Sequence, residues 1–235
     1  MSHPDSLWNQ WRARMTEVER EVQDLAFFDT VFRLSMRAMR DWPSERHNFL
    51  YAWQVSMNSR DVGVCVRRIL DRSGRTRSFL RLLEEIARQP GVVSRERFVE
   101  AYPPGLRTAG EEEFERLLGS GGDKLTRAHV RRDIEELESA YATSGLQAVT
   151  NEVIVHNGDA STTTPPTWRQ VHDLVALIER ACRRYIYLLL PVDRRSLLPG
   201  NMEDVAEEVA IFWLGRKEGE SSTWLRELES EGETS

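Results

Sequence analysis

Apolar residues recur along this chain at helical spacing. Trp8, Trp11, Met15, Val18, Val22 and Leu25 alternate steps of three and four residues, which places all six on one helix face. The stripe widens through Phe28, Val31, Phe32, Ser35 and Met39, and Asp41-Trp42-Pro43-Ser44 breaks it. Proline cannot continue a helix from upstream but can open the next one. A second long helix is predicted from about Ser44 to Leu70, with Phe49, Trp53, Ser56, Val62, Cys65, Val66 and Ile69 facing inward and Asp71-Arg72-Ser73-Gly74 ending it. Thr76 or Ser78 then caps a short helix, SFLRLLEEIAR, which stops at Gln89-Pro90-Gly91.

The middle of the chain, about 90–122, is less regular. SRERFVEAY reads as a short helix, PPGLRTAG as a loop, and EEEFERLLG as another short helix closed by GSGG. A third long helix is predicted from about Asp123 toward Val155, carrying Leu125, Val130, Ile134, Leu137 and Tyr141, with a bend at Gly145. ASTTTPP is a polar connection, and Thr167 opens a fourth long helix with Val171, Leu174, Val175, Ile178, Cys182, Tyr185, Ile186 and Leu189 on one face. Beyond Pro191 lie two weaker helical pieces, MEDVAEEVAIFWLG and TWLRELE, and an acidic tail. Only NEVIVH reads as a strand, and a lone strand has no sheet to join, so it is taken as helix. The expected fold is all-α: an up-and-down bundle of four long helices over 1–192, with an insertion at about 90–122 and a C-terminal extension over 193–235.

The 235 residues fit one large domain or two small ones. A formal net charge of -6 argues against a broad, sequence-blind grip on polyanions, though not against a small local site. Cys65 and Cys182 lie far apart inside helical patterns and read as two thiols of a reducing compartment. The N-terminus, MSHPDSLWNQW, shows no signal-peptide pattern, and YIYLLLPV is too short to span a bilayer, so a cytoplasmic protein is expected.

The chemistry narrows quickly. None of the five histidines pairs with another ligand at HxxxH or HExxH spacing, so no metal site and no cofactor is expected. His129 and His172 sit among charges and read as solvated. Gly119, Gly121 and Gly122 follow a helix and lack a trailing Lys-Ser/Thr, so they make no phosphate loop. His156, where Val153-Ile154-Val155 runs into Asn157-Gly158-Asp159, has two readings. It is a helix-end residue held by the negative end of the macrodipole, or a general acid/base.

Three stretches resemble the HEPN superfamily, in particular the abortive-infection AbiU-type proteins of bacterial phage defence. VCVRRILDRSGRTRSFLRLLEEI resembles that group's helix ending in Arg-x-Leu/Phe-Asp, followed by Ser-Leu-x-x-Leu-Leu. DIEELESAYATSGLQAVTNEVIVHNGD resembles its signature helix, which an Arg-Asn-x-x-x-Ala-His-x-Asp run closes. PTWRQVHDLVALIERACRRYIYLLL resembles the helix that follows. With the N-terminal helix, the likeness spans about residues 20–190. It implies a HEPN-like bundle, a homodimer, and a metal-independent ribonuclease whose histidine moves the proton of the ribose 2′-hydroxyl while an arginine stabilises charge on the phosphate. Carried across, His156 matches the histidine, Asn151 the polar residue after the arginine, and Asn157 or Asp159 a following polar residue placed to contact RNA.

The arginine itself is absent: its place falls on Thr150, with Val149 and Asn151 at the neighbouring allowed spacings. A hydroxyl can hydrogen-bond a phosphate oxygen but brings no charge, and losing one preorganised donor costs about 10²–10³ in rate. Arg40 and His47 have a permitted spacing but are separated by Pro43. Arg67, Arg68, Arg72, Arg75, Arg77 and Arg81 form a basic cluster, read as a solvated surface paired with Glu84 and Glu85 or as a phosphate-facing patch. Two functions follow as expectations. One is a ribonuclease, or a degenerate relative, of phage defence or toxin–antitoxin type, using His156, Asn151 and Thr150. The other is a non-catalytic helical module binding RNA or a partner protein, such as an antitoxin or another defence component.

Overall fold

A computed structural model describes residues 4–40, 48–73, 77–119, 122–150, 166–190, 197, 198, 202, 204, 205, 208 and 209, with backbone alone for 38–40 and 48–55. Among these residues the chain is all-α. Its helices are α1 (Pro4–Arg40), α2 (Asn48–Leu70), α3 (Phe79–Arg88), α4 (Arg95–Glu100), α5 (Arg107–Leu118), α6 (Arg127–Thr143), α7 (Leu146–Val149) and α8 (Trp168–Leu189). The β pairing described is a single antiparallel bridge between Ser94 and Lys124.

Helix starts follow their capping residues. Ser78, Ser94 and Thr126 accept from the backbone N–H groups of Arg81, Arg97 and His129. Thr167 and Gln170 form a reciprocal capping box at the start of α8. Each bond satisfies a donor that the first helical turn leaves open.

The six predicted stripe residues of α1 are all buried, with α2 and α8 packed along that helix. The predicted face of α8 is buried from Val171 to Leu189. α3 packs against α6, and Phe79 meets Tyr185 edge to face at 5.9 Å. One continuous core joins these helices, in which each fully buried Leu- or Phe-sized side chain contributes about 1.5–3 kcal/mol. The insertion shares that core: α4 and α5 meet through Phe98 and Phe114, 5.4 Å apart and both buried. In the C-terminal extension, Leu197 joins the same core, while Met202 packs on Leu34 of α1.

Several details differ from the pattern-based expectation. PPGLRTAG is not a loop throughout: Pro104–Leu106 forms a tight 3-10 turn, and α5 starts at Arg107, because proline sets the backbone angle of the turn. Ser56 is exposed rather than inward. Gly145 divides the third long helix instead of bending it. Its φ of 73° is a left-handed angle that ends α6, and α7 restarts immediately. NEVIVH and the Arg40–His47 interval fall beyond or largely beyond the described residues. No helix among the described residues is long and apolar enough to cross a membrane.

Candidate functional site

The α6–α7 corner carries the one predicted site residue that is described. Ser144 donates its hydroxyl to the Tyr141 carbonyl at 2.8 Å and accepts from Leu146 N–H at 3.2 Å. These two bonds hold the corner while Gly145 turns the backbone. Thr150 follows α7, its N–H reaching the carbonyls of Leu146 and Gln147. Its side chain is 0% exposed, and its Oγ1 has no hydrogen-bond partner. Thr150, where the HEPN resemblance would call for an arginine, is therefore neutral and shut away from solvent. Asn151, His156, Asn157 and Asp159 lie outside the described residues.

A cleft of about 500 Å³ opens beside this corner, between the end of α2, the start of α3, and α6–α7. Arg67, Asp71, Arg72, Glu138, Tyr141 and Gln147 supply its polar lining. Three of the six arginines in the predicted basic cluster are paired with carboxylates here and around it. Arg72 pairs with Glu84 at 3.2 Å and with Glu138 at 2.7 Å, Arg68 with Glu21 at 2.7 Å, and Arg77 with Glu17 at 3.1 Å. Glu85 instead binds Arg14 of α1. Arg75 lies outside the described residues. Arg67 differs from its neighbours: its Nη1 is buried without a hydrogen-bond partner. Burial raises the Tyr141 hydroxyl pKa, with Arg67 opposing and Asp71 adding to the shift.

A second polar assembly lies between α1 and α8. His172, expected to be solvated, instead places Nδ1 2.8 Å from Asp29 Oδ2, so the ring presents an N–H to a buried carboxylate. Glu179, two turns further along α8, is pushed up from 4.5 to about 7, first by burial and then by the Asp29 carboxylate. His129 is also not fully solvated, since its Nδ1 is buried without a partner. At the α6–α8 contact, buried Asp133 accepts from Arg184 and from the Tyr185 hydroxyl, the latter at 2.9 Å. Desolvation, then Asp133, drives the Tyr185 pKa well up, which suits a structural clamp rather than an acid/base.

The spacing contains a signal for these buried acids. Asp29 stands four residues after Leu25 and three before Phe32, and Asp133 stands between Val130 and Leu137 in the same register. A carboxylate on a core stripe needs a partner, because burying it bare costs far more than a surface acid.

Both thiols are free; desolvation raises Cys65 to about 11 and puts Cys182 well above its ordinary value, so neither is a ready nucleophile. No group of three or more His, Cys, Asp and Glu side chains able to hold a metal ion occurs among the described residues. Compared with family models, curated proteins and solved structures, the chain matches none.

Proposed function

We propose that this chain is a degenerate HEPN-like protein of the AbiU kind, binding RNA as a homodimer in bacterial phage defence or a toxin–antitoxin-like pair. In this reading α1, α2, α6 and α8 are the four long helices of the up-and-down bundle. The three stretches that resemble the family occur in α2–α3, in α6–α7 and the segment after it, and in α8, in that order. The observation that carries the reading is Thr150: a neutral, fully buried residue stands where charge on a phosphate would be stabilised.

The consequence is chemical. In an active member, histidine takes the proton from the ribose 2′-hydroxyl and returns one to the leaving oxygen, while the guanidinium compensates the charge that builds on phosphorus. Here His156 keeps the first role and Thr150 cannot fill the second. Cleavage should therefore fall by at least about 10²–10³ while RNA binding survives.

The test incubates wild type and His156→Ala with RNA in the absence of metal, alongside light scattering for mass and a binding titration. The expected result is a dimer that binds RNA and cuts it slowly, with the residual cleavage lost in His156→Ala. Rapid cleavage by wild type would remove the degenerate reading. A chain that neither binds nor cuts RNA would leave the non-catalytic module with a protein partner.

A further inference from the structure

We propose that the cleft between the end of α2 and the α6–α7 corner is a binding site for a phosphate-type oxyanion, with Arg67 as its cation and Tyr141 and Gln147 as neutral donors. That the oxyanion is a phosphodiester of RNA rests on the preceding reading; the oxyanion chemistry does not.

Most charges lining the cleft already have a structural role. The Asp71 carboxylate accepts from the Ser73 N–H and hydroxyl, both at 2.8 Å, and so fixes the turn that ends α2. Ser78 donates to the Asp71 carbonyl, and Arg81 reaches the Arg72 carbonyl at 3.5 Å, tying α3 to the same turn. Arg72 is divided between Glu84 and Glu138. The carboxylates near the cleft are thus engaged in holding its walls. Arg67 is half-buried with Nη1 shielded from water and unpaired.

A guanidinium N–H without water or an acceptor is costly, and a planar fork of such donors matches the oxygens of a phosphate. The neighbours fit the same ligand. Tyr141 and Gln147 can each donate one hydrogen bond, and Leu70, Leu80 and Ala142 complete the lining with apolar surface. Gln147 lies one turn before Thr150, so the cleft adjoins the position where the family's own cation is missing. A local site of this kind is also compatible with the net charge of -6, which a broad polyanion surface is not.

The test uses the full chain and three probes at low ionic strength: inorganic phosphate, acetate, and a labelled single-stranded RNA oligonucleotide. Phosphate and acetate are followed by calorimetry and RNA by fluorescence anisotropy. Wild type should bind phosphate in preference to acetate. Arg67→Gln should weaken phosphate and RNA binding by about tenfold or more, and Arg67→Lys should recover part of that loss. Arg77→Gln, which removes an exposed arginine paired with Glu17, should leave both affinities unchanged. The unfolding midpoint of Arg67→Gln should stay at or above that of wild type, because no protein hydrogen bond to Nη1 is lost; a large drop would mark Arg67 as structural and overturn the proposal. Phosphate binding through Arg67 with no RNA binding upholds the site and sinks the RNA reading. RNA binding that is equal in wild type and Arg67→Gln does the reverse. Failure of wild type to bind phosphate overturns the site outright.

Discussion

A hydroxyl sealed inside a protein without a partner is unfavourable on both counts: it has left water and gained no bond. Thr150 is in that position. Valine has nearly the same shape and no polar atom, so Thr150→Val should stabilise the chain by about 1 kcal/mol, read as a higher urea midpoint at unchanged slope. A destabilised variant would mean that the hydroxyl has an acceptor in solution and that the corner differs from the one described. Thr150→Arg, by contrast, would force a guanidinium into a closed site and is a poor way to supply the charge that the proposed HEPN-like reading lacks. From the sequence, Thr150 is visible only as the position where the HEPN resemblance would put an arginine. Its burial is not visible, because it depends on how α7 docks after the break at Gly145. Asp29 and Asp133 were readable as acids on apolar stripes, yet their partners, His172 and the Arg184–Tyr185 pair, come from a helix far along the chain. Local spacing can flag the need for a partner but cannot name it.

At the scale of elements, the period of three and four residues was enough to place α1, α2 and α8 and the first part of the third predicted helix, because their buried faces are continuous, and Thr126 and Thr167 cap α6 and α8. It was least informative where backbone angles outweigh side-chain pattern. The Pro103–Leu106 turn and the left-handed Gly145 both lie where the apolar period is thin. The clearest local device is the start of α8. Gln170 N–H donates to Thr167 Oγ1 at 3.3 Å, and Thr167 N–H donates to Gln170 Oε1 at 2.8 Å. The helix it opens supplies Tyr185, Cys182 and Ile178 to the core, so fraying there loosens the packing on α1. Thr167→Ala removes the side-chain half of this box and should cost about 1 kcal/mol in a denaturation experiment. Thr167→Ser, which keeps the acceptor, should cost little. An alanine variant as stable as wild type would show that packing alone fixes the start of α8.

For the molecule as a whole, the α1–α8 seam makes stability depend on pH. Glu179 lies there among Asp29 and Arg33 from α1 and His172 and Arg183 from its own helix. Burial and Asp29 hold it protonated up to about 7, against the opposing pull of the three basic groups, whereas in the unfolded chain it ionises near 4.5. Between those two values the folded state binds more protons than the unfolded state, so this residue makes stability fall as pH rises. The penalty is absent below the lower value and complete above the upper one. Glu179→Gln stays neutral throughout, and should therefore be more stable than wild type at about pH 8, by on the order of 1–3 kcal/mol, with the half-buried position favouring the lower end. The difference should vanish toward about pH 4, where both side chains are neutral. Urea denaturation of the two proteins across this range measures it directly. Parallel stability curves would show that Glu179 is hydrated in solution and that the α1–α8 seam is more open than its buried Asp29 implies, whereas converging curves would locate a titrating charge inside one of the two most extensive helix–helix contacts among the described residues.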